Sequence, residues 1–145
     1  MLFFCQLLLL PCMGQGSYVK KYAPLADSLA KAYEIPVKVI LTVAVIESGS
    51  GTSRNARLLN NHFGMKGKNQ LLKTHGIRSA YKQYPSVYDS YVDFVRLLSE
   101  RKYYARLKGN PSCETWFDAM SKSGYSHKPA EWKKLMMNGM KKIKL

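Results

Sequence analysis

Acid is scarce in this sequence and unevenly placed. Nine Asp and Glu stand against 23 Lys and Arg, a net charge of +14, and no acid falls between Glu47 and Asp89. So strong a positive field attracts polyanions, and nucleic acid, anionic lipid and acidic cell-wall polymers all qualify. The basic residues are spread along the chain without any nucleic-acid-binding motif, which argues against nucleic acid as the partner. Cysteine is also rare: of Cys5, Cys12 and Cys113, only Cys113 lies beyond residue 16, so residues 17–145 cannot close an internal disulfide. The three histidines, His62, His75 and His127, share no ligand-like spacing, so no metal and no cofactor is expected. Beyond residue 16 there is no linker, repeat or low-complexity tract.

Long apolar runs are few. The stretch LFFCQLLLL near the start is too short to span a bilayer as a helix, and residues 1–16 read as a signal peptide with cleavage after Gly14. A lipid anchor at Cys12 is the weaker reading, because Pro11 directly precedes it. The expectation is an exported, monomeric protein of the periplasm or cell envelope, with no transmembrane segment in its mature form. Residues 17–145 form one domain, large enough for a single core.

Helical punctuation dominates that domain. Pro24 opens PLADSLAKAY, and Pro36 opens a helix through Ser48 that Gly49 and Gly51 stop. SRNARLL (53–59) leads into the polar loop NNHFGMKG, and residues 67–84 have weak strand character. Ser86 and Asp89 have capping-box spacing. Asn110-Pro111 starts the next helix, closed by Gly124, and Pro129 starts the last, with basic residues near its end that suit the helix dipole. The pattern predicts a mainly α fold of about six helices with at most a small β appendage.

One acid is out of place. VKVILTVAVIE has no charge between Lys38 and Glu47, so Glu47 ends the most apolar run of the domain. One helical turn back lie Val43 and Ala44, with Ile40 a turn further. Burial, apolar neighbours and the negative end of a helix dipole all favour the protonated carboxyl. A neutral carboxylic acid is what a general acid for glycosidic cleavage must be. The alternative is a helix-end glutamate that points to water.

The motifs around Glu47 decide between these. ESGSGTS is followed by NNHFGMK, by YKQYPS with Asp93 beyond it, and by GYSHKP at 124–129. This order resembles the glucosaminidases of glycoside hydrolase family 73, in the lysozyme-like superfamily, from about Ser17 to the C-terminus. The resemblance implies a lysozyme-like helical domain with a small, reduced β-hairpin lobe. It implies hydrolysis of the β-1,4 bond between N-acetylglucosamine and N-acetylmuramic acid in peptidoglycan, with Glu47 as the catalytic acid. It also places Tyr125 at the site and implies substrate contacts from Ser48, Asn61, Phe63, Gly64, Lys66, Tyr81, Tyr84 and His127.

The residues allow blander roles for several of these. NNHFG is also a tight loop whose Phe63 plugs the core, with Asn61 serving the loop rather than an acetamido group. Tyr81 and Tyr84 alternate as a half-buried strand would, and Lys66 is ordinarily solvated.

The chain departs from the family in one respect. Many members carry a second acid on the β-hairpin, and here that segment has none. Three readings follow: the substrate's own N-acetyl group is the nucleophile, with Tyr125 positioning it; Asp89 or Asp93 reaches the site; or the domain only binds glycan. A lytic transglycosylase, which works with a single Glu, is the rival enzyme.

Overall fold

The computed structural model describes residues 14–145. Most of the leader assigned to 1–16 lies outside them, while Gln15 and Gly16 fall in the first turn of α1. Eight helices occur among the described residues: α1 (Gln15–Tyr33), α2 (Val37–Ser48), α3 (Arg54–Leu59), α4 (Leu71–His75), α5 (Val87–Ser99), α6 (Tyr104–Leu107), α7 (Cys113–Lys122) and α8 (Pro129–Met140). None is long and apolar enough to cross a membrane.

α2 is the hub. Its residues from Val39 to Val45 are buried all round, which explains why its sequence shows an unbroken apolar run rather than a stripe. α1, α7 and α8 pack against it, and α5 packs on α1. Burying one such Val, Leu or Ile contributes about 1.5–3 kcal/mol, so the hub carries much of the core energy.

Several boundaries differ from the sequence reading. Pro24 lies inside α1, nine residues past its start, rather than opening it. Tyr18 and Val19, buried in the core, pull the preceding stretch into helix. Pro24 and Lys20 are both exposed, so the Lys20 carbonyl that lacks a Pro N–H donor faces solvent. α7 is capped by Ser112, whose Oγ accepts from Thr115 N at 3.3 Å, while Asn110 Oδ1 accepts from Ser112 N at 2.9 Å. α8 stops at Met140 with no basic residue in its last turn, because buried Ile143 draws the KKIK tail back onto the core. Ser86 and Asp89 do pair at the start of α5: Ser86 Oγ accepts from Asp89 N at 3.3 Å and donates to its carboxylate at 2.6 Å.

Among the described residues the β lobe is reduced to one antiparallel bridge, Lys66 with Tyr81. Neighbouring backbone bonds extend it slightly, from Lys82 N to Met65 O at 2.8 Å and from Gly67 N to Ala80 O at 2.9 Å. The short helix α4 lies in the chain between the two bridged residues.

Candidate active site

The end of α2 is built to stop sharply. Gly49 (φ +54), Ser50 (φ +54) and Gly51 (φ +80) are all left-handed, and the Gly49 and Ser50 amides close onto carbonyls at Val45 and Ile46. Ser48 Oγ donates to Ala44 O at 2.6 Å and accepts from Gly51 N at 2.8 Å. This turn leaves Glu47 in the last helical turn with its carboxyl free of the backbone.

Glu47 opens into a groove of about 970 Å³. Its Oε1 accepts a hydrogen bond from Trp132 Nε1 of α8 at 3.1 Å. On the other side lies Gly64, whose φ of +66 is left-handed and where an added Cβ would stand 3.6 Å from Oε2. The loop backbone thus passes close to the acid with no side chain between. Burial raises the Glu47 carboxyl above its ordinary range, and the Trp132 bond only partly opposes this. A half-buried acid biased toward its protonated form, facing a groove, can deliver a proton to a bound ligand.

Tyr125 lines the same groove. Its ring packs on Trp132, centroids 5.1 Å apart, and its hydroxyl donates to the Phe63 carbonyl at 3.1 Å. Burial and then the adjacent Glu47 hold the phenol far above its usual value, so it stays neutral. With its proton committed to Phe63 O, the oxygen remains able to accept a hydrogen bond.

A family model described as mannosyl-glycoprotein endo-beta-N-acetylglucosaminidase matches residues 23–145. The chain belongs to the glucosaminidase family. It is 27% identical to the peptidoglycan hydrolase FlgJ of Vibrio parahaemolyticus across 78% of this chain and 42% of that protein. It is 37% identical to protein bax of Escherichia coli K12, across 51% of this chain and 27% of that one. The chain therefore spans less than half the length of these curated relatives. Its fold matches the glycoside hydrolase domain of Salmonella typhimurium FlgJ with a TM-score of 0.67, covering 89% of this chain and 87% of that one. At 21% identity that last likeness is one of fold.

The glucosaminidase motifs divide into two sets. Glu47, Gly64, Lys66, Tyr81, Tyr125 and His127 all line the groove. Lys66 holds its ammonium 5.1 Å from the centroid of the Tyr81 ring.

The second set points inward, against the substrate contacts the resemblance implied but in line with the blander roles open to Asn61, Phe63 and Tyr84. Ser48 is wholly buried and spends both hydrogen-bonding roles on the turn. Asn61 is buried too, its amide donating to the carbonyls of Met65 (2.9 Å) and Lys82 (2.8 Å) and accepting from the Phe63 and Met65 amides. All its hydrogen-bonding capacity goes to shaping the NNHFG loop, and none is left for an acetamido group. Phe63 plugs the core, stacked on Phe94 at 4.2 Å and edge-on to Tyr91 at 4.7 Å. Tyr84 is buried with its hydroxyl donating to Asp93 at 2.7 Å.

Neither Asp89 nor Asp93 lines the groove. Asp89 caps α5, and Asp93 binds Lys82 (2.7 Å), Tyr84 and Arg96 (2.9 Å). Burial alone would raise the Asp93 carboxyl, but those partners outweigh it and hold it below its usual range.

Groove residues outside the quoted motifs that sequence reasoning did not anticipate include Asn55, Arg101, Glu131 and Trp132. Trp132 left a faint signal, an indole in the first turn of α8 just after the segment bearing Tyr125. Glu131 beside it is exposed and sits 3.5 Å from Lys128. Arg101 lies past the end of α5 and reaches the groove only through the tertiary fold. Asn55 Oδ1 has no hydrogen-bond partner among the described residues. No three His, Cys, Asp or Glu side chains converge as metal ligands among those residues.

Proposed function

We propose that this domain is a peptidoglycan hydrolase that cuts the β-1,4 bond between N-acetylglucosamine and N-acetylmuramic acid, with Glu47 as the general acid. The observation that carries this is the half-buried Glu47 carboxyl, raised by burial and oriented by Trp132 at the wall of a groove about 970 Å³ in volume. Membership of the glucosaminidase family and likeness to a protein named a peptidoglycan hydrolase support the substrate. A periplasmic or cell-envelope location suits that substrate.

The second catalytic group is the substrate's own acetamido oxygen. It attacks C1 as the C1–O4 bond breaks, and Glu47 gives its proton to the departing O4. The acetamido N–H, made acidic in the cyclic intermediate, donates to the Tyr125 oxygen, whose own proton is held by Phe63 O. Glu47, now a carboxylate, takes a proton from water as that water adds to C1 and reopens the ring. The product has a reducing-end N-acetylglucosamine. This route suits a groove whose other carboxylate, Glu131, is exposed and ion-paired.

The test is release of soluble fragments from purified sacculi. Glu47→Gln lowers turnover by about a thousandfold and Tyr125→Phe by about tenfold to a hundredfold, each with unchanged helicity. Full turnover by Tyr125→Phe would remove its hydroxyl from the mechanism, and full turnover by Glu131→Gln is expected. Loss in Glu131→Gln as deep as in Glu47→Gln would replace the acetamido route with a two-carboxylate one.

A further inference from the structure

The groove holds more positive charge than its own acids neutralise. Among the described residues, Lys128 is paired with Glu131, whereas neither Lys66 nor Arg101 belongs to any ion pair. Acids elsewhere are mostly engaged: Asp27, Glu34, Asp93, Glu100, Glu114 and Asp118 each hold a Lys or Arg within 4.0 Å. Lys66 is set in place by an aromatic face instead, its ammonium 5.1 Å from the Tyr81 centroid, which positions the charge without cancelling it. Arg101 comes from a separate part of the chain, beyond α5, and lines the same groove as Tyr125. Glu47 adds little opposing charge while protonated.

Resting on the hydrolase reading above, we propose that Lys66 and Arg101 form a carboxylate subsite that selects acid-bearing glycan over neutral glycan. A neutral N-acetylglucosamine polymer offers these cations nothing, whereas a muramyl strand carries carboxylates on its lactyl groups or on the peptides attached to them. Both side chains are exposed at the groove, so their charge is available to a ligand and their replacement does not disturb the core.

The test compares wild type with the double variant Lys66→Gln/Arg101→Gln on purified glycan strands. Peptide-bearing strands and strands stripped of peptide are each used unmodified and with carboxyls converted to methylamides. The double variant raises KM about fivefold to tenfold on unmodified strands, with kcat within about twofold of wild type. On methylamide strands the two proteins have the same KM. The strand type showing the larger shift identifies the carboxylate, peptide or lactyl. Equal losses on modified and unmodified strands, or no loss on either, would overturn the subsite. A parallel arm measures co-sedimentation of Glu47→Gln protein, with and without the two Gln changes, on the same strands. If wild type cuts no strand, the hydrolase reading falls. The sedimentation arm then decides the subsite alone: tighter binding to unmodified strands, lost in the double variant, upholds it, and equal binding to both strand types overturns it.

Discussion

Glu47 pays an electrostatic penalty that a neutral isostere escapes. Its carboxyl is raised by burial, so the fold favours the protonated form and ionisation costs stability. A group raised in the fold contributes fully below its unfolded value and loses that contribution as pH rises through the folded one. Glu47→Gln, which keeps an acceptor for Trp132 Nε1, therefore has a higher Tm than wild type at neutral pH, and the gap closes as pH falls toward 4. Thermal melts across that range check this, and a variant less stable at pH 7.5 than at pH 4 relative to wild type contradicts it. The Trp132 bond pulls the other way, holding the carboxyl lower than burial alone would. Trp132→Phe removes that donor, so the alkaline limb of kcat/KM moves to higher pH. Glu47 stands out in the sequence because a lone acid ending an apolar run has a cost visible there. Ser48, Asn61, Phe63 and Tyr84 match the family motif yet face away from the groove, for a shared reason. A motif marks which residues a site needs but not whether they face the ligand or brace the loop behind it, and these four brace.

At the scale of elements, the ESGSG turn converts the buried hub helix into a platform for the acid. Gly51 is held against the core: φ is +80, and an added Cβ would stand 3.3 Å from the Tyr18 ring and 3.6 Å from His62. Tyr18 is itself fixed from behind, its hydroxyl bonded to Tyr91 at 2.9 Å and to buried His62, whose pKa desolvation lowers to about 4. Gly51→Ala costs about 1–3 kcal/mol by strain and crowding. A chemical denaturation midpoint indistinguishable from wild type would show that the turn is more pliable than this. The longer helices were legible, since Pro36, Ser86 and Pro129 mark starts and Gly49 a stop, whereas the short α4 and α6 were not: α4 lies in the segment read as weak strand. Boundaries failed where tertiary packing outweighed punctuation. Buried Tyr18 and Val19 carry α1 back past Pro24, and buried Ile143 ends α8 early. The acid-free, basic segment after NNHFG predicted a weak strand, but a single bridge suffices there because Asn69 and Asn61 side chains hold the facing carbonyls of Ser79, Tyr81 and Lys82.

For the whole molecule, the net charge of +14 bears on where the enzyme accumulates rather than on its fold. Attraction of a strongly basic protein to an acidic wall polymer is screened within about 8–10 Å at physiological salt, so sacculus binding weakens markedly between 50 and about 500 mM salt. Binding constant across that range would mean that surface charge plays no part. Length and punctuation pointed to one domain, but they gave no sign of the groove. It is assembled from the end of α2, Asn55 of α3, the NNHFG loop with Tyr81 facing it, the end of α5 and the chain beyond it, the segment bearing Tyr125 and the start of α8, which only folding brings together. The central claim is that this groove uses Glu47 to release N-acetylglucosamine as a new reducing end. Mass spectrometry of the soluble products from purified sacculi, for wild type and Glu47→Gln, measures it directly. Fragments ending in reducing N-acetylglucosamine from wild type alone are the expected result. Anhydromuramyl ends, or the same fragments from Glu47→Gln, would contradict it.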